Sequence, residues 1–139
     1  MKTLLILITI MLVGGCGKGN QTADESPKAN PVKELTPEEQ KALRDSVVGE
    51  YEIKKDGDTR KQVFLDNGVY EWYINGKKIT EYKWSIVKEE IHVKYVPNGL
   101  IGIYRINPDK SITPIAFIDE DGKRTDIPKE HQSTFKKTK

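Results

Sequence analysis

Three patterns of apolar and polar positions follow one another along the chain. From Leu4 to Val13 every residue but Thr9 is strongly apolar. Residues 17 to 34, GKGNQTADESPKANPVKE, hold no aromatic residue and a single branched apolar one, Val32. Beyond residue 48 apolar and polar residues alternate in short runs rich in Tyr, Val, Ile and Trp. The first pattern is that of a short targeting segment and the second that of a flexible linker. The third is that of half-buried strands.

The alternating region predicts an all-β fold preceded by one short helix. Thr36-Pro37-Glu38-Glu39 combines a capping hydroxyl, a proline preset for the first helical position and a glutamate able to complete a capping box, so a helix is expected to about Asp45. Turn signals at Asp56-Gly57-Asp58, Asp66-Asn67-Gly68, Asn75-Gly76, Pro97-Asn98-Gly99, Asn107-Pro108-Asp109 and Asp121-Gly122 then divide the chain at hairpin spacing. The strands expected between them cover about 48–55, 59–66, 68–74, 78–87, 90–96, 100–106 and 111–118, with 131–137 as an eighth and 123–127 as a short extended piece. Seven or eight consecutive antiparallel strands with one apolar face form a meander that curls into a small barrel or half-barrel.

Register follows from parity. A two-residue turn at Lys88-Glu89 sets Ile86 against Ile91, Trp84 against Val93 and Tyr82 against Tyr95, leaving Lys83, Ser85, His92 and Lys94 to water. Three-residue loops with a glycine bulge around Asp66-Asn67-Gly68 and Asn75-Gly76 would bring Phe64, Tyr70, Trp72, Tyr82 and Trp84 to one face. With Tyr95 they are candidates to line an apolar ligand cavity; the competing expectation is a filled core. Arg105 is a further candidate. If Val96 faces Leu100, Arg105 points inward and needs an anionic partner; a slip of one residue sends Gly102, Tyr104 and Ile106 inward and Arg105 to the surface.

The leading apolar run follows Met1-Lys2-Thr3 and is too short to span a bilayer, as expected of a signal peptide covering residues 1 to 15. Its end, Val13-Gly14-Gly15-Cys16, resembles the lipobox of bacterial lipoproteins. The resemblance implies that Cys16 carries diacylglycerol, that the bond before it is cut, and that the new amino terminus is acylated. Residues 16 to 34 become the lipidated cysteine and a tether with a reach of roughly 20–25 Å. Gly17, where a sorting aspartate would retain the protein at an inner membrane, favours the outer membrane or cell surface. Residues 35 to 139 resemble the small lipocalin-like domains of envelope lipoproteins. The matching features are the helix, Gly49-Glu50-Tyr51 as first strand, Phe64-Leu65-Asp66-Asn67-Gly68 as hairpin, and the aromatic strand Tyr82-Lys83-Trp84-Ser85-Ile86.

Charge adds little: 23 basic against 21 acidic residues give no reason to expect nucleic acid as a partner. Cys16 has no second cysteine with which to form an internal disulfide. His92 and His131 are far apart and lack ligand spacing, so neither a metal nor another cofactor is expected. Asn107-Pro108-Asp109-Lys110-Ser111 has the oxygen spacing of a calcium loop but Ile112 and Ile118 where glycine and an acid belong, and Asp119-Glu120-Asp121-Gly122 reads as a hairpin turn. No nucleophile elbow, phosphate loop or dinucleotide fingerprint is present. The expectation is a monomeric, non-enzymatic envelope protein. It is held to the membrane through Cys16 and binds an apolar or amphipathic small molecule or a protein partner. The alternatives are an envelope hydrolase or isomerase using carboxylates with Arg105, and an inhibitor acting through the Pro97-Asn98-Gly99-Leu100 hairpin.

Overall fold

The structure, a computed structural model, describes residues 34–139. The expected signal peptide, the lipidated Cys16 and the tether to residue 33 lie outside the described residues. Helix α1 (Pro37–Val47) starts as its sequence dictates. The Thr36 hydroxyl accepts from the Glu39 N–H at 3.2 Å, and the Glu39 carboxylate accepts from the Thr36 N–H at 2.8 Å. It runs one half-turn past Asp45 and buries Val47.

An antiparallel meander follows: β1 (Gly49–Lys55), β2 (Asp58–Phe64), β3 (Val69–Ile74), β4 (Lys77–Val87), β5 (Glu90–Lys94), β6 (Ile101–Ile106), β7 (Ile112–Ile118) and β8 (Arg124–Asp126). A 3-10 turn at Lys129–His131 then leads to β9 (Lys136–Lys137), which returns to pair with β1. The sheet order is β8-β7-β6-β5-β4-β3-β2-β1-β9, and the sheet is not closed. It curls enough for Phe64 on β2 to meet Tyr104 on β6, their ring centroids 6.4 Å apart. The approach to β9 ties the two sides together where Phe135 and Ile112 exchange backbone hydrogen bonds of 2.8 and 3.0 Å.

The expected register holds at β4–β5, where Trp84 faces Val93 and Ile86 faces Ile91. It also holds at the three-residue loop 66–68, which sets Phe64 against Tyr70. At Asn75-Gly76 the structure differs. The loop has two residues, both left-handed (φ 50° and 78°), the geometry for which Asn-Gly is the best-suited pair. Parity is restored inside β4 instead: Tyr73 faces Lys78 but Trp72 faces Thr80, so Ile79 is an extra, unpaired residue. The outcome is the one expected, with Tyr70, Trp72, Tyr82 and Trp84 on one face. The bulge rather than the loop delivers it.

Arg105 takes the second of its two registers. A four-residue connection, 96–99, pairs Tyr95 with Leu100, so that Ile91 faces Tyr104 and Val93 faces Gly102. Arg105 therefore lies exposed on the outer face, its Nε donating to Asn107 Oδ1 at 3.0 Å.

At the α1 end the interior is solid. Phe64, fully buried, stands edge-on to Tyr51, Tyr70 and Trp84 at centroid distances of 5.6, 5.2 and 5.4 Å. Trp84 donates its indole N–H to Leu65 O at 2.9 Å and carries the Arg44 guanidinium over its ring at 4.7 Å. The C-terminal carbonyls of α1 are capped from the other end of the chain. Lys137 Nζ donates to Ser46 O and Val48 O, and the Tyr51 hydroxyl to Val47 O, each at 2.8 Å. Burial holds the Lys137 ammonium below its usual pKa. Lys137→Met keeps the stem but leaves the Ser46 and Val48 carbonyls without their charged donor. It should lower unfolding stability by about 1.5–3 kcal/mol in urea titration, with the denaturant slope unchanged.

Candidate ligand-binding site

The opposite end of the half-barrel is open. On the inner face of β2, residues two apart step outward from the floor: Phe64, then Gln62, then Arg60. Tyr70 and Trp72 on β3, Thr80 and Tyr82 on β4, Tyr95 at the end of β5, Tyr104 on β6 and Pro114 on β7 continue the wall. His131, Ser133 and Phe135 cross over from the C-terminal segment. Together they line an open cavity of about 490 Å³, within the range of small-molecule sites.

Aromatic faces make most of the wall. Tyr70 and Tyr82 stack at 6.3 Å with planes 15° apart. Tyr95 stands perpendicular to Tyr82 at 5.0 Å, and Phe135 meets Trp72 at 6.0 Å. Gly102 makes room for this arrangement. A side chain there would put its Cβ 2.7 Å from the Tyr95 ring and hydroxyl. The Tyr95 and Tyr104 hydroxyls share a 2.8 Å hydrogen bond, and Tyr104 also engages Tyr70 and the Gln62 side chain. Gln62 is 2% exposed, and its Oε1 is buried with no hydrogen-bond partner. At the mouth Arg60 keeps only a loose 3.7 Å pairing with the exposed Asp56. No Asp or Glu is among the described residues that line the cavity.

Of the residues expected from sequence to line a cavity, Tyr70, Trp72, Tyr82 and Tyr95 do so. Phe64 and Trp84 are floor, packed beneath it, and Arg105 is not part of it. Arg105 lies by a separate groove of about 400 Å³ with Arg124, Asp126 and Lys129. Arg105 faces Glu90 across the β5–β6 pair, and Arg124 bridges Glu90 and Asp126 beside it on the outer face. The Pro97-Asn98-Gly99-Leu100 segment exposes Pro97 and Asn98 but half-buries Leu100, leaving Val96 as its projecting apolar residue. His92, expected in water, is instead half-buried on the outer face, 3.7 Å from Glu90, and desolvation lowers its pKa. The Asn107–Ser111 and Asp119–Gly122 segments are turns whose aspartates accept backbone N–H groups. Among the described residues no three His, Cys, Asp or Glu side chains gather as a metal-holding group.

Sequence reasoning missed Gln62, Arg60, Thr80, Tyr104, Pro114 and Phe135 as wall residues. The first two carried a usable signal, since they share the parity that places Phe64 inside. Comparison with protein-family models, with curated proteins and with solved structures returned no significant match.

Burial keeps the phenols of Tyr51, Tyr70, Tyr95 and Tyr104 protonated. It pushes Tyr51 up to about 12 from an ordinary 10.0, and raises Tyr70, Tyr95 and Tyr104 further. The unfolded chain therefore releases these protons first, near pH 10. The stability they contribute is complete below that pH and is lost as pH climbs above it. Phenolate absorbance at 295 nm from these four tyrosines should rise together with loss of the near-ultraviolet dichroism. Full ionisation near pH 10 with the dichroism intact would contradict a desolvated cluster.

Proposed function

We propose that this chain is a lipid-anchored protein of the bacterial envelope, facing outward from the outer membrane or cell surface, whose lipocalin-like β domain binds an amphipathic small molecule without transforming it. The observation that carries the binding reading is the 490 Å³ aromatic-walled cavity at the open end of the half-barrel, with polar groups converging on it. Its location agrees with ligand exchange from an apolar environment. Of the four exposed large hydrophobic residues among those described, Ile79, Val96 and Phe117 lie toward the strand ends that carry the cavity mouth, and Val87 lies at the other end of β4. The anchor rests on the Leu4–Val13 run and the Val13-Gly14-Gly15-Cys16 quartet.

Two measurements test the two halves of this reading. Fragment 34–139 should bind 1-anilinonaphthalene-8-sulfonate at one equivalent with native near-ultraviolet dichroism. Thr80→Phe, which puts a ring into the cavity opposite Trp72, should weaken that binding at least tenfold. Equal binding by the variant would place the dye elsewhere and remove the cavity as the site. For the anchor, cells fed labelled palmitate should mark the chain and retain it in the particulate fraction, and Cys16→Ser should abolish both. An unlabelled wild-type chain would end the lipoprotein assignment.

A further inference from the structure

Resting on the binding reading above, we infer that the cavity selects a planar ring compound with a hydrogen-bond donor at its inner edge and an acidic group at its outer edge, in preference to a fatty acyl chain. Three features of the wall lead there.

Gln62, which lines the cavity, carries an acceptor that none of the described residues satisfies. Gln62 Oε1 is buried without a partner, whereas the hydroxyls of Tyr95 and Tyr104 are engaged with each other. A buried amide oxygen left dry carries its whole desolvation cost, which an N–H or O–H on a ligand recovers and a methylene cannot. An alkyl tail reaching this depth would leave the oxygen as it is, unpaired.

The walls favour flat over flexible. Tyr70 and Tyr82 are parallel to within 15°, and Tyr95 closes the corner at 88° to Tyr82. Aromatic faces held in this way reward a second planar ring through offset and edge contacts.

The mouth is cationic. Arg60 lies on the same face of β2 as Gln62, two residues further out, so their Cα atoms are roughly 6.6 Å apart along the strand. Its contact with Asp56 is long and solvent-exposed, the kind a ligand carboxylate displaces. With no lining carboxylate to repel an anion, the field at the mouth favours an acid.

Three probes separate these features: indole-3-acetate has ring, donor and acid; 1-naphthaleneacetate has ring and acid; decanoate has acid and acyl chain. Each is titrated into the full-length chain held in lipid nanodiscs, reading the Trp72 indole and Gln62 side-chain amide signals by two-dimensional NMR so that partitioning into lipid does not count. Indole-3-acetate should bind at least tenfold more tightly than either other probe. Gln62→Met should bring the two ring acids within twofold of each other. Arg60→Gln should weaken both ring acids alike and leave their ratio unchanged. The wild-type ratios decide the matter even if Gln62→Met does not fold. Decanoate binding most tightly, or the two ring acids binding equally to the wild type, overturns this inference and leaves the cavity as a binding site. No shift at Trp72 or Gln62 with any probe overturns both.

Discussion

The half-barrel is organised around the side on which Phe64 falls. Its ring is fully buried and stands edge-on to Tyr51, Tyr70, Trp84 and Tyr104, which come from four different strands. Each such pair is worth roughly 0.5–1.5 kcal/mol beyond the area it buries, so the cluster amounts to a large share of a small domain's stability. None of it survives a change of parity. A one-residue slip in any of the pairings would turn a whole strand over and bring Glu71, Tyr73 or Lys83 to the core. The loop at 66–68 and the bulge at Ile79 are therefore as much part of the core as the rings they align.

Fixing Phe64 inward has a consequence one step along the strand. Gln62 and Arg60 share its parity and must also face the interior, although neither belongs in a hydrocarbon core. The fold accommodates them by dividing the interior in two. Toward α1 the space is filled with apolar rings and closed by the Arg44 and Lys137 contacts. Toward the other end the strands carry tyrosines, whose rings cover the wall while their hydroxyls meet one another and Gln62. Apolar bodies with polar tips suit a surface that is half core and half site.

Most of the fold was legible because its determinants are local. Thr36 through Glu39, the Lys88-Glu89 turn and Asp66-Asn67-Gly68 act over a few residues, and each does what its chemistry requires. The departures occur where two local preferences compete or where a distant segment intervenes. Asn75-Gly76 prefers a two-residue turn and the aromatic face requires odd parity, so the conflict is resolved in the strand at Ile79. The 96–99 connection has no such strong preference, and the position of Arg105 hung on it. The cavity wall was the least legible part. Phe135, Ser133 and His131 reach it only because the C-terminal segment crosses back to β1, a contact without sequence periodicity. Gln62 was overlooked for a different reason: hydrophobicity nominates rings, while an inward polar residue is found only by applying the register to every position.

That distinction matters for locating function. Where local propensity, pattern and packing agree, as around Phe64 and Trp84, the residues are accounted for by stability alone. The disagreements are few among the described residues and fall together. The unpartnered Gln62 oxygen, the inward Arg60 and the exposed Ile79 of the bulge all border the same opening. The bulge connects them mechanically, since the extra residue that keeps the aromatic face continuous also projects an apolar side chain at the rim. A substitution that erased the bulge would have to sacrifice either the core or the rim. Core parity and site geometry are thus set by one irregularity, so the opening is tied to the fold's most constrained element rather than added to a finished barrel.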